Sequence, residues 1–364
     1  TALGHEALKL NTTGTENTSV GANSLDNNTT GSYGAAVGYA ALGANTTGAN
    51  NSALGSYALD ANTTGNYNSA IGSYALTNST TADGNTAVGY YASLANTTGT
   101  KNTAVGAYAL DAVTTTGTHT AIGYQALTAN TTGAQQTACG AYALAANTTG
   151  TQNVAIGWGA INANTTGDYN VALGFAAMYN GSGGGGSNIA IGRYSLYENT
   201  TGNCNAGVGA NTLQNSTTGS YNIAVGHNAL NDNTTGSNNV AIGRNALAVS
   251  TAANDNTAVG YRVLDTNSTG TENVGIGVSA LKSNTTANQN TCIGSYSGYN
   301  ITTGNYNTAI GYQSLYTENA GTQLVAVGRH ALYTNDGGTQ NTALGYSALY
   351  ANTTGASNTA AGFF

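Results

Sequence analysis

Glycine returns along this chain at a fixed interval. Gly4, Gly21, Gly38, Gly55, Gly72, Gly89, Gly106, Gly123, Gly140, Gly157 and Gly174 stand seventeen residues apart. The step from Gly174 to Gly192 is eighteen, and seventeen then resumes through Gly209 to Gly362. Twenty of the twenty-one intervals are therefore identical, which requires every repeat to be the same structural unit, packed on its neighbours in the same way. The ordinary inference of two or three globular domains from 364 residues does not apply. The period predicts one continuous array over 1–364, anchored from Gly4 to Gly362, with one irregular Gly-rich coil at 174–192.

With the shared Gly as slot 1, a typical unit is Gly140 to Ile156: Gly-Ala-Tyr-Ala-Leu-Ala-Ala-Asn-Thr-Thr-Gly-Thr-Gln-Asn-Val-Ala-Ile. Slot 17 is aliphatic (Val37, Leu54, Ile71, Val88) and slot 16 is tiny (Ala36, Ala53, Ala70, Ala87). Slot 5 is again aliphatic (Leu42, Leu59, Leu76), after a small slot 4. Slots 7 to 10 hold an Asn-Thr-Thr cluster, so two short apolar runs alternate with polar turn chemistry. A helix would carry two glycines per unit, each costing about 1 kcal/mol relative to Ala. Short β-branched runs bounded by Gly and Asn are strands instead, and the period makes each repeat one coil of an all-β, parallel β-solenoid of about 21 coils. At about 4.8 Å per coil this predicts a rod of roughly 100 Å.

Stacking sets equivalent side chains over one another. Asn fills slot 14 in seventeen of the twenty-one units, including Asn51, Asn68, Asn85, Asn102, Asn153 and Asn170, and predicts an amide ladder that donates to one neighbour and accepts from the other. The corner glycines Gly38, Gly55, Gly72 and Gly89 mark a positive φ or a backbone approach with no room for Cβ. One difficulty remains. Neighbouring strand residues face opposite ways, yet slots 16 and 17 are both apolar, as are slots 4 and 5. Either Ala fills a narrow interior and the large aliphatics, or the reverse set, pack on other copies of the chain, three copies around an axis being the expected arrangement, or a bend at slot 1 turns both inward.

The unit Asn-x-Ala-Ile/Val-Gly-x-x-Ala, as in Asn85 to Ala92, resembles the head repeats of YadA-like trimeric autotransporter adhesins, and is similar to arrays in phage tail fibres. The resemblance spans the whole chain. The period here is longer, through an Asn-Thr-Thr-Gly insertion. It implies a left-handed β-roll that associates in threes, in an extracellular or virion-surface fibre with a structural or adhesive role towards surface glycans or a host-cell receptor. The alternative within the same resemblance is the shaft of a tail fibre.

Both termini fall within the repeat phase and no atypical capping coil is evident, which predicts a segment of a longer chain or a subunit stacked end to end into a filament. Only 6% of residues are charged, against about 25% in ordinary soluble domains, so Asn, Thr and Ser must keep the surface wet. Seven Lys and Arg against fourteen Asp and Glu leave no basic patch for nucleic acid, and no apolar stretch is long enough to span a membrane.

Candidates for chemistry are sparse. Cys139, Cys204 and Cys292 lie in distant coils and cannot pair within one chain; Cys139 and Cys292 are expected buried and Cys204 exposed. His5, His119, His227 and His330 are scattered with no ligand set, so no metal or other cofactor is expected. Asp26, Asp60 and Asp111 share slot 6 as solvated, isolated carboxylates, and no nucleophile has a base, so the chain is not expected to be an enzyme. The Gly-rich stretch 180–187 lacks the Lys and following helix of a phosphate loop and is expected to be a one-residue bulge. Asn45, Asn62, Asn96, Asn130, Asn147 and Asn164 each begin Asn-Thr-Thr, which is turn chemistry or an N-glycosylation acceptor. Ranks of Thr raise ice binding, but those two threonines are adjacent and cannot share a flat face. Tyr39, Tyr57, Tyr74, Tyr90, Tyr91 and Tyr108 in slots 2 and 3 predict aromatic ladders, as stiffeners or as platforms for sugars.

Overall fold

The computed structural model describes residues 1–181 and 184–364. Every described strand is short, and no helix occurs among the described residues. The strands are slots 15 to 17 of each repeat, beginning with β1 (Ala2–Leu3), β2 (Thr18–Val20) and β3 (Ala35–Val37). Two compact units, Thr1–Gly184 and Gly185–Phe364, divide the chain inside the irregular Gly-rich coil. Ser182 and Gly183, on which the expected bulge falls, lie outside the described residues.

The first unit contains the eleven strands from Ala2–Leu3 to Val171–Leu173, each paired in parallel with the next. The second contains the eleven from Ile189–Ile191 to Thr359–Ala361, paired the same way. Register is one repeat throughout: Ser52 lies against Ser69, Ala53 against Ala70 and Leu54 against Ile71. Each unit is thus a stack of β-solenoid coils, about 50 Å along its own axis at strand spacing. Backbone bonds leave each coil in both directions. Tyr57 N donates to Tyr39 O of the coil before (2.9 Å), and Leu59 N to Ala75 O of the coil after (2.9 Å).

Inside the coil, half the filling is apolar and half is amide. Ala70 in slot 16, Ala58 in slot 4 and Leu59 in slot 5 are all 0% exposed. Asn62 and Asn68, in slots 8 and 14, are also 0% exposed. The outward aliphatic is slot 17, where Ile71 is 44% exposed. Alternation holds within the strand, where slot 16 faces in and slot 17 out. It does not reach slots 4 and 5, which lie in a turn where slots 3 and 5 take left-handed φ, as at Tyr57 (57°) and Leu59 (53°). The expectation that both large aliphatic ranks need cover from other chains is therefore corrected: the slot-5 leucines are covered by their own coil, and only slot 17 is open. The turn, not a bend at slot 1, brings slot 5 inside.

The slot-1 glycines make that architecture possible. Gly38, Gly55, Gly72 and Gly89 have φ of 141°, 140°, 128° and 138°, a region closed to residues with a side chain. A Cβ on Gly55 or Gly89 would also lie 2.6 Å from the carbonyl carbon of the corner glycine in the next coil. Both reasons expected for a corner glycine are present at once.

Candidate assembly surface

The outward face of each sheet is formed by slots 15 and 17, and neither slot carries a charge in any coil. Slot 17 presents Val37, Leu54, Ile71, Ile122, Ile156 and Leu173 in the first unit, and Ile191, Val208, Val225, Ile242 and Ile276 in the second, all exposed. Slot 15 adds Val171, and Ile189, Ile223 and Val325 in the second unit. Elsewhere it holds Thr, Ser, Ala or Val, with Thr86, Thr103, Thr120 and Thr137 in consecutive coils. A shallow apolar hollow on the first unit is lined by Ala35, Val37, Ser52, Leu54 and Ile71. Soluble monomers rarely expose a contiguous apolar stripe tens of ångströms long without a partner for it.

Next to this stripe stands the aromatic rank of slots 2 and 3. Tyr39, Tyr57, Tyr74, Tyr91 and Tyr108 follow one another at ring-centroid distances of 5.1 to 5.6 Å. Tyr124, Tyr142 and Trp158 continue at 5.4 to 6.3 Å, and Trp158 lies parallel to Phe175 at 4.9 Å and to Tyr179 at 5.6 Å. Tyr90 packs edge-on against Tyr91 at 4.1 Å, and its phenol is pushed up to about 12, first by its hydrogen bond with Tyr91. Ring faces in the stacked pairs are occupied by neighbouring rings. In the second unit, Arg193 lies 4.5 Å over Tyr194, and Arg329 5.7 Å from both Tyr312 and Tyr346, so cations take part in the rank there.

The slot-14 ladder runs in both units. Asn51 Oδ1 accepts from Asn68 N (2.9 Å), Asn68 Oδ1 from Asn85 N (3.0 Å), Asn85 Oδ1 from Asn102 N (2.9 Å) and Asn153 Oδ1 from Asn170 N (2.8 Å). Each Nδ2 donates to the slot-11 carbonyl of the following coil, as Asn51 to Gly65 at 2.7 Å and Asn153 to Gly167 at 2.8 Å. The turn asparagines of slot 8 form a second ladder that sequence reasoning placed on the surface. Asn62 Nδ2 donates to Asn45 Oδ1 (2.7 Å) and to Gly65 O (3.1 Å), so the Gly65 carbonyl joins the two ladders. Asn96, Asn130, Asn147 and Asn164 likewise donate to the carbonyl three residues on, at 2.9 to 3.1 Å. Asn45, Asn62, Asn96, Asn130, Asn147 and Asn164 are at most 2% exposed. A sugar on any of those nitrogens would have to break the ladder and open the coil, so the glycosylation expectation gives way to interior hydrogen bonding. The adjacent slot-9 threonine ties its turn to that of the following coil, with Thr46 Oγ1 donating to Thr63 O at 2.9 Å.

The remaining candidates are not brought together. His119 takes the place of a ladder asparagine. It is 1% exposed, has Nε2 within 3.0 Å of Thr116 Oγ1, and burial pushes it down to about 4. His330 packs at tilted and edge-on angles among Tyr312, Tyr333 and Tyr346. All three cysteines are free: Cys204 is exposed, and Cys292 is buried, which pushes its thiol up to about 12. Cys139 is half-buried rather than buried, because slot 17 faces outward. Asp26, Asp60 and Asp111 are half-buried and raised by that burial, with Thr128 donating to Asp111 at 2.6 Å. Among the described residues no group of three or more His, Cys, Asp or Glu could hold a metal ion, and no helix is long and apolar enough to cross a membrane. The slot-15 threonine is the feature that the sequence reading missed, although its signal is present: in Thr-Ala-Val the first and third residues alternate onto one outward face, as at Thr86 and Val88.

No known family pattern and no curated protein matches this chain.

Proposed function

We propose that this chain is a structural segment of an extracellular fibre, a stiff and non-catalytic element that assembles side by side with further copies of itself, in threes, through the slot-15 and slot-17 face. The observation that carries this reading is the uncharged apolar stripe left open on a chain whose other apolar rank is already covered. Surface attachment is the corresponding role, towards glycans or a receptor. The shaft of a phage tail fibre needs the same stack and differs only in what lies beyond it.

Light scattering on the purified chain tests the reading. The expected mass is a multiple of one copy, and Leu54→Asn with Ile71→Asn and Ile122→Asn, on the outer face, should lower it to a single copy without changing the β-sheet signal. A native mass equal to one chain overturns the proposal. One further reading has its own observation: the four consecutive outward threonines beside Val88, Val105 and Ile122 form a flat Thr/aliphatic surface suited to ice. Thermal hysteresis in the single-copy protein would favour it over assembly.

A further inference from the structure

We propose that the aromatic ladder of the first unit is a relay for one-electron oxidation, along which a hole placed on any ring between Tyr39 and Tyr179 passes from ring to ring. Electron exchange between aromatic rings is fast when they are in van der Waals contact, and every step of this ladder has a centroid separation of 6.3 Å or less.

The ladder also keeps its continuity where the repeat would break it. At Gly159 the slot-3 ring is missing, and the Tyr179 ring fills the space: a Cβ on Gly159 would lie 2.7 Å from it. That ring lies parallel to Trp158, with 9° between planes. Phe175, which is not readily oxidised, is thereby bypassed. Protons have a route as well as electrons, because Tyr39, Tyr90 and Tyr124 are 44 to 46% exposed and the other phenols are half-buried rather than sealed.

The steps balance. A one-electron oxidant, of the kind formed from peroxides, takes an electron from Trp158, and the indole N–H proton leaves to water, giving a neutral indolyl radical. Tyr142 or Tyr179 returns an electron to the indole, water returns the proton to its nitrogen, and the phenol proton goes to water, leaving a tyrosyl radical. The same exchange between successive tyrosines moves the radical onward, with one electron lost in total, to the oxidant. Oxidising equivalents are thus spread over a surface array rather than spent on one side chain.

Trp158 is the single tryptophan, so it serves as the injection point. Pulse radiolysis of the native chain with azidyl radical, which oxidises indole in preference to neutral phenol, is expected to show indolyl absorbance decaying into tyrosyl absorbance at a rate independent of protein concentration. Tyr142→Phe with Tyr179→Phe should slow that decay by an order of magnitude. Spread is read by a nitroso spin trap and peptide mass spectrometry: adducts at Tyr57 and Tyr74 are expected in the native chain and should be lost in Tyr108→Phe/Tyr124→Phe, while those at Tyr142 persist. Indolyl decay in the native chain that scales with protein concentration overturns the relay, whether or not any variant folds. Equal trapping at Tyr57 and Tyr74 with and without the break does the same.

Discussion

His119 occupies a position built for an amide, and the consequence is a pH dependence that the rest of the ladder lacks. Its burial holds the folded-state value at about 4, whereas in the unfolded chain it is close to 6.5. The unfolded chain therefore takes up a proton first as the pH falls. Stability from this residue is complete above about 6.5, declines through the window down to about 4, and is then flat, with a total of about 3 kcal/mol. Melting temperatures at pH 7 and pH 4.5 should fall for the native chain and fall less for His119→Asn, which restores the amide found at this slot in most coils. An equal drop in both would mean that the imidazole is not the acid-sensitive group. The slot-8 ladder carries an acidic replacement of its own: the Glu318 carboxyl group is buried and accepts from Gly321 N and Asn335 Nδ2.

At the scale of the coil, the ladders fail in a recurrent way. Where Ser replaces Asn in slot 8, at Ser79, Ser216 and Ser250, the hydroxyl has no hydrogen-bond partner among the described residues, and neither does Oδ1 of Asn62, Asn199 or Asn233 in the coil before. A buried polar atom without a partner costs about 1–3 kcal/mol. Ser79→Asn supplies a donor to Asn62 Oδ1 and is expected to stabilise the first unit by about 1 kcal/mol, read as a higher urea midpoint. A lower midpoint would show that the coil has no room for the amide. Much of this element was readable from the repeat itself: invariant Gly at the corner, Ala at the inward strand position and Asn at slot 14 each follow from stacking like on like. Slot 5 was not, because a leucine at left-handed φ leaves no mark in a pattern of apolar residues. Slot 8 was misjudged for a related reason. Asn-Thr-Thr has the composition of an exposed turn, and only the position of the Gly65 carbonyl, between Asn51 and Asn62, shows that its first residue points inward.

For the molecule as a whole, the repeat determines which surface is left to interact. Each unit covers its inward alanines and slot-5 leucines internally, pairs most of its interior amides along the axis, and leaves one uncharged face open. Few charges occur elsewhere; Lys9 with Glu6 (2.7 Å) and Arg262 with Asp265 (2.6 Å) are the ion pairs among the described residues. Dissociation of an assembly held by that face should therefore respond weakly to salt and strongly to outer-face polar substitutions, as scattering mass against ionic strength would report. All of this depends on equivalent residues lying directly over one another. Spin labels at Ser52 and Thr120, four coils apart, and at Ser52 and Val171, seven coils apart, measure it within the first unit once the native cysteines are replaced. Stacking at strand spacing predicts separations near 19 Å and 34 Å, linear in coil number. Distances that do not grow in proportion to the number of coils between the labels would contradict the solenoid.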